Sequence, residues 1–238
     1  MNCGMIADVG TRRAKQLSFC DYRMRSGRGG PRAGAGRKPS GRRCEGKRAR
    51  EQFQGLTPLH VTVRVAKGLR SLRTVSFAQA LEASFAKACA RDDFRLVHYS
   101  IQRDHLHLIV EAEDNVALGN GMKSISARIA HSVKRVFQIP GKVLDGVYHA
   151  RRLTSPRQVR NALRYVLLNA RKHWQQQWGA APPMQLDRAS SARWFDGWSR
   201  ALPTDRAGPR PVAEARSWLL CRGWRRHGLI DPSAVPQA

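Results

Sequence analysis

The chain has 238 residues, of which 43 are Lys or Arg and 17 are Asp or Glu, so its formal net charge is +26. A field of that sign attracts polyanions, which makes nucleic acid the expected partner of this protein. A membrane surface is the weaker alternative, because the sequence contains no long basic helix with a bulky apolar face. A ribosome-like structural protein stays open, since charge by itself says nothing about chemistry.

The five cysteines are widely spread and include no CxxC pair. This spacing argues against a disulfide framework and against a cysteine-rich zinc module. No apolar run approaches the ~20 residues of a membrane span, and the N-terminus lacks the apolar segment of a signal peptide. We therefore expect a soluble, cytoplasmic protein without a membrane partner.

The first 55 residues have the composition of a basic tail. Over residues 27–39, cations alternate with Gly and Pro. Such a segment has too little apolar surface to form a core, and it suits contact with a phosphate backbone. We expect residues 1–55 to be disordered in the free protein.

The patterning changes after this tail. Apolar residues alternate over 59–65, which predicts a strand, and then recur at helical spacing over 77–90. Strand patterns follow over 94–101 and 105–110, and their short connection suits a hairpin. Next, an apolar stripe over 122–137 predicts an amphipathic helix.

The strongest helix signal follows a short extended stretch, residues 142–152. Ser155 is a good N-cap, Pro156 suits the first helical position, and Gln158 completes a capping box. The order of elements predicts an α+β domain over residues 56–173, with one antiparallel sheet covered by helices. Residues 174–238 are interpreted as a basic C-terminal extension with a helix over 212–222.

Two histidines stand out on the predicted hairpin. His105 and His107 are two residues apart on a strand, so their side chains leave the same face of the sheet. Two imidazoles on one face are a reasonable beginning for a divalent-metal site. The alternative is an incidental pair, because the HxH pattern is short.

Tyr165 and Asn169 are separated by one turn of the predicted last helix, at the border of its apolar stripe. A helix lying on the sheet would present the phenol and the amide together. The alternative is an ordinary tyrosine at the rim of the core and an asparagine near a helix end. Several cations would suit a phosphodiester substrate, or else form a solvated face: Arg103, Arg128, Lys134, Arg157, Arg160, Arg164 and Arg171.

Three segments together resemble a known family: RDHLHLI at 103–109, HVT at 60–62 and RYVLLNA at 164–170. They resemble the HUH transposases that use one tyrosine, and most of all the REP-associated tyrosine transposases. The resemblance covers about half of the chain, roughly residues 58–173. One departure is Asp104, which stands where this family often has Asn.

The resemblance implies a ferredoxin-like fold with the histidine strand at the centre and the tyrosine helix across one face. It also implies that His105, His107 and Asn169 hold Mg²⁺ or Mn²⁺. Tyr165 would attack single-stranded, hairpin-bearing DNA, forming a 5′-phosphotyrosine and a free 3′-OH. The implied partner is palindromic repeat DNA, bound by a monomer or a homodimer. A non-catalytic nucleic-acid-binding protein on the same fold is the alternative, and His60 is expected either to pack in the sheet or to line the site.

Overall fold

The computed structural model describes residues 51–180, 183–202, 206 and 208–236. Its centre is one four-stranded antiparallel sheet with the strand order β2-β3-β1-β4. The strands are β1 (Gln54–Arg64), β2 (Phe94–Ile101), β3 (His105–Asp114) and β4 (His149–Arg152). The histidine strand β3 is therefore an inner strand, with a hydrogen-bonded neighbour on each side.

Three long helices accompany the sheet: α1 (Val75–Ala86), α2 (Asn115–Phe137) and α3 (Pro156–Trp178). The chain order β1-α1-β2-β3-α2-β4 together with this strand order is the ferredoxin-like arrangement. The predicted fold class, α+β with helices packed on an antiparallel sheet, is confirmed. The tyrosine helix α3 follows the ferredoxin-like unit as an additional element.

The helix ends follow the capping chemistry of the sequence. Ser155 Oγ accepts a hydrogen bond from the Gln158 amide, and Pro156 occupies the first turn of α3. Helix α2 begins at residue 115, seven residues before the predicted start of its apolar stripe. Gly119 and Gly121 interrupt the helical pattern in this first part of α2, so the sequence did not predict it. Gly121 has a packing role, because a Cβ atom there would collide with the ring of Phe94.

Each face of the sheet carries its own apolar cluster. On one face, α1 and α2 pack against side chains such as Val61, Leu106 and Leu108. On the other face, α3 packs against Val97 and Ile109, together with part of the C-terminal segment. Successive strand residues alternate between faces, so His105 and His107 belong to the face that α3 covers.

The C-terminal segment is tied to the sheet and to α3. The buried Glu111 carboxylate on β3 accepts hydrogen bonds from the backbone amides of Arg216 and Ser217, at 2.9 and 2.8 Å. The Ala213 amide donates to the carbonyl of Leu96 on β2. The predicted helix over 212–222 is therefore wrong for residues 212–217, which these contacts hold in a non-helical conformation.

Only Trp218–Cys221 forms a helix in this stretch, named α4, and a 3₁₀ helix follows at Gly223–His227. The predicted tail, residues 1–55, lies outside the described residues except for its last five, of which Gln54 and Gly55 already belong to β1. Within the described ranges, no helix combines the length and the apolar character needed to cross a membrane.

Candidate active site

His105 and His107 face each other on β3. Their Nε2 atoms are 3.0 Å apart, and their rings meet edge to face with centroids 4.6 Å apart. The two-residue spacing on a strand produces this arrangement, as the sequence predicts. Their position on an inner strand holds both backbones in place through hydrogen bonds to β1 and β2.

The Nδ1 atom of each of the two rings has polar neighbours that can fix the orientation of the ring. His105 Nδ1 lies 2.6 Å from the Asp104 carboxylate, a natural acceptor for the Nδ1 proton. His107 Nδ1 lies 3.1 Å from His60 Nε2 and 3.3 Å from Thr62 Oγ1, both on β1. A proton on each Nδ1 leaves the Nε2 lone pairs of the two histidines directed at the same point, an arrangement that a cation between them would stabilise.

His60 and His107 are neutral at physiological pH. Burial, with the positive charges around it, lowers the pKa of His107 to about 3. Burial also lowers the pKa of His60 to about 4, assisted by Arg151 and His149. Neutral imidazoles keep a lone pair for a ligand, so this environment suits metal coordination better than a protonated, anion-binding role.

Helix α3 places Tyr165 beside His107 and His60. The Tyr165 ring centroid is 4.9 Å from that of His107 and 5.8 Å from that of His60, with both pairs edge to face. The tyrosine is half-buried, as its position at the border of the apolar stripe predicts. The Lys172 ammonium lies 5.8 Å from the centre of the same ring, which places a positive charge beside the phenol.

Asn169 lies one turn after Tyr165 and is only 1% exposed. Neither its Oδ1 nor its Nδ2 has a hydrogen-bond partner among the described residues. An unpaired buried amide is costly, so an orphaned side chain one helical turn from Tyr165 indicates a missing partner. An amide oxygen is also a suitable ligand for Mg²⁺ or Mn²⁺.

The residues present fit a divalent ion. Two nitrogen ligands at right angles on an octahedral ion, at about 2.1 Å each, stand about 3 Å apart, which is the separation of the two Nε2 atoms. Within the described ranges, no group of three or more His, Cys, Asp or Glu side chains could hold a metal ion. A third protein ligand would therefore come from another residue type, and Asn169 is a buried amide with no partner among the described residues.

The cations predicted to bind nucleic acid do not form one surface. Arg103 is exposed beside the histidines, and Arg157 and Arg164 lie on α3, whereas Arg128 and Lys134 lie on α2, across the sheet from Tyr165.

Two further members of that predicted set hold the fold together. Arg160 donates to the carbonyls of Gly228 and Leu229. The largely buried Arg171 donates to the carbonyls of Pro183 and Ser233. These hydrogen bonds attach the C-terminal segment to α3, so the structure does not favour direct DNA contacts for either guanidinium group.

The sequence did not decide whether His60 packs in the sheet or lines the site, and it did not single out Thr62, Arg64 or Arg151 as site residues. Antiparallel pairing brings them together, because Thr62 lies opposite His107, Arg64 opposite His105, and Arg151 opposite His60. The exposed Arg64 and Arg151 therefore extend the histidine face towards β4 with positive charge. The two-residue alternation of His60, Thr62 and Arg64 was a signal, but only the strand register connects it to β3.

Comparison with known proteins agrees with the resemblance that the motifs indicate. Residues 58–155, less than half of the chain, match the family model described as "Transposase IS200 like". This segment contains His105 and His107 and ends before Tyr165. No curated protein sequence matches the chain.

A solved structure described as the REP-associated tyrosine transposase bound to a REP hairpin is similar to this chain with a TM-score of 0.43. The two share 17% sequence identity, over 52% of this chain and 72% of the other.

Proposed function

We propose that the protein is a metal-dependent DNA strand transferase that cleaves and rejoins single-stranded, hairpin-bearing DNA through Tyr165. The observation that carries this proposal is the position of the Tyr165 ring, 4.9 Å from that of His107 in the HxH pair. A phenol held by α3 beside an imidazole of the histidine pair on β3 combines a nucleophile with a metal site. The transposase model that matches residues 58–155 supports the same reaction class.

In the proposed reaction, the Tyr165 oxygen attacks the scissile phosphorus in line and loses its proton to solvent. A bond forms between the tyrosine oxygen and phosphorus, and the bond from phosphorus to the 3′-oxygen breaks. The leaving oxygen takes up a proton and becomes a free 3′-OH, while the 5′-phosphate stays on Tyr165. Attack by another 3′-OH reverses these steps and rejoins the DNA without ATP, because the phosphodiester energy is conserved in the adduct.

His105, His107 and Asn169 would hold Mg²⁺ or Mn²⁺ in this site. When bound, the ion supplies Lewis-acid polarisation of the scissile phosphate and offsets the negative charge of the transition state. Asp104 and His60 keep the two ligand imidazoles in the orientation that exposes Nε2. The Lys172 ammonium, 5.8 Å from the centre of the Tyr165 ring, would stabilise negative charge on the phenol, and the exposed Arg64 and Arg151 would contact phosphates of the bound strand.

The test is formation of a covalent adduct between the full chain and labelled single-stranded hairpin DNAs, with Mg²⁺, with Mn²⁺ and with chelator. We expect a metal-dependent band on a denaturing gel, and mass spectrometry should place the phosphate on the peptide that contains Tyr165. Tyr165→Phe and the double variant His105→Ala/His107→Ala should each abolish the band. Tyr99→Phe is the matched control, because its ring is buried and its hydroxyl bonds Glu82 on the other side of the sheet.

Persistence of the band in Tyr165→Phe would refute the assignment of the nucleophile. Tight, salt-sensitive binding by the wild type without an adduct on any hairpin of a broad panel would instead favour the non-catalytic binding protein.

A further inference from the structure

A cavity of about 1060 Å³ opens beside the candidate active site. It lies between the last turns of α3, the β2–β3 turn and residues 183–188, and His105 forms part of its wall. This volume is just above the range for ligand pockets, which is about 300 to 1,000 Å³. A DNA strand with its phosphate at the histidines would therefore have this cavity as its immediate neighbour.

Two tryptophans of α3 line the cavity. Trp174 is 43% exposed and Trp178 is 62% exposed, and their ring centroids are 6.1 Å apart. They are one helical turn apart, and neither belongs to the two apolar clusters of the fold. Large exposed aromatic rings that do not contribute to a core are typical of binding surfaces.

The remaining wall suits a polyanion with aromatic bases. Arg103 and Arg188 are exposed on it and have no ion-pair partner within the described part of the chain. The Asp187 carboxylate in the same wall is neutralised by a two-point ion pair with Arg73, at 2.8 and 3.0 Å. The side-chain amides of Gln176, Gln177 and Gln185 add donors and acceptors of the kind that base edges require.

We propose that this cavity binds unpaired bases of the DNA strand that reacts at Tyr165, with Trp174 as the stacking platform. The inference rests on the proposed function, since it assumes that a DNA strand passes the histidines. The charge of the wall favours this occupant over the protein's own basic segments, which it would repel. Trp174 is the better platform of the two tryptophans, because it is less exposed and one turn nearer to Tyr165.

The test compares two labelled 12-mers at several salt concentrations, in chelator so that no reaction occurs. One is a mixed-sequence, non-self-complementary oligonucleotide, and the other is an abasic strand with the same phosphates. Stacking tolerates any base, so the natural target sequence is not needed. The full-length wild type is compared with Trp174→Ala, with the conservative Trp174→Phe, and with Trp218→Ala, an exposed tryptophan that does not line the cavity.

We expect the wild type to bind the base-containing strand more tightly than the abasic one. Trp174→Ala should lose about 5- to 150-fold of affinity for the base-containing strand, the range for one stacked base. Its affinity for the abasic strand and its salt dependence should stay unchanged. Trp174→Phe should keep most of the preference for the base-containing strand over the abasic strand, and Trp218→Ala should keep all of that preference.

Equal affinity of the wild type and Trp174→Ala for the base-containing strand would overturn the proposal. So would an equal loss for both strands, which would show that Trp174 contributes without contacting bases. These outcomes are separate from failure of the proposed function, because adduct formation depends on Tyr165 and metal, whereas this binding assay uses neither.

Discussion

Replacement of Asn169 by leucine should stabilise the metal-free protein while impairing its reaction. The side chain is 1% exposed, and both of its polar atoms are without a partner among the described residues. Leucine has nearly the same shape and no polar atom to desolvate. The destabilising asparagine therefore makes sense only if its amide oxygen is needed, as a metal ligand would be.

The magnitude follows from the two orphaned atoms of Asn169. Each buried polar group without a partner costs about 1 to 3 kcal/mol. Asn169→Leu should therefore raise the free energy of unfolding in chelator by about 2 kcal/mol or more. For a protein of this size, 2 kcal/mol corresponds to an increase in Tm of about 4 to 8 °C.

The assay is urea and thermal unfolding of wild type and variant, in chelator and in Mn²⁺, together with adduct formation on hairpin DNA. An ion at 100 times its Kd stabilises the wild type by about 3 kcal/mol, and Asn169→Leu should gain much less. Asn169→Asp is the matched variant, because it keeps an oxygen ligand but buries a charge. It should be less stable than the wild type in chelator, and Mn²⁺ should restore most of that loss.

Two results would refute this reasoning. If Asn169→Leu were destabilised in chelator by about 1 kcal/mol or more, the amide would have a structural hydrogen-bond partner, such as a buried water. If the variant formed the adduct as fast as the wild type, Asn169 would not be a ligand.

Three further predictions concern the surroundings of the site. Asp104→Ala should lower Mn²⁺ affinity by about 10- to 100-fold, because it removes the carboxylate that orients His105. Asp104→Asn should retain most of the Mn²⁺ affinity, and calorimetric titration measures the affinity of each variant. Burial lowers the pKa of His98 to about 4, so the unfolded chain takes up a proton at this side chain at a higher pH than the folded protein does. Between pH 7 and pH 4, His98 should therefore lower the free energy of unfolding by about 3 kcal/mol. Urea unfolding of the wild type and of His98→Asn across this pH range measures the loss. Glu111→Ala should cost about 3 kcal/mol and accelerate amide exchange over residues 212–222, and Glu111→Gln should cost less.

Each of these has a contrary outcome. Equal metal affinity in Asp104→Ala and the wild type would show that His105 is oriented by the sheet alone. The same pH dependence in His98→Asn and the wild type would assign the acid sensitivity to other groups. Unchanged amide exchange in Glu111→Ala would show that α3, and not the sheet, anchors the C-terminal segment.

Local patterns predicted the framework well, because their causes are local. Alternation over 59–65 and 105–110 placed two strands, and the Ser155 cap with Pro156 placed the start of α3. The two-residue spacing of His105 and His107 likewise fixes their common face. Tyr165 and Asn169 share an edge of α3 because they are one turn apart.

The segment over 212–222 shows where local signals fail. Its composition favours a helix, but intrinsic propensity is a weak preference that tertiary contacts override. Here Glu111 and Leu96, each more than a hundred residues earlier in the chain, accept hydrogen bonds from backbone amides of this segment and hold its first half in a non-helical conformation. No pattern within the segment itself contains that information.

The sequence by itself determined the candidate site residues: a histidine pair on one strand face, a tyrosine with an asparagine one turn away, and many cations around them. Only the tertiary structure decided that His60 supports His107, that the Tyr165 ring lies beside His107, and that the Asn169 amide has no partner among the described residues. The physical reason is that strand register and helix docking depend on contacts between residues far apart in the chain. Such contacts leave no periodic trace in the sequence.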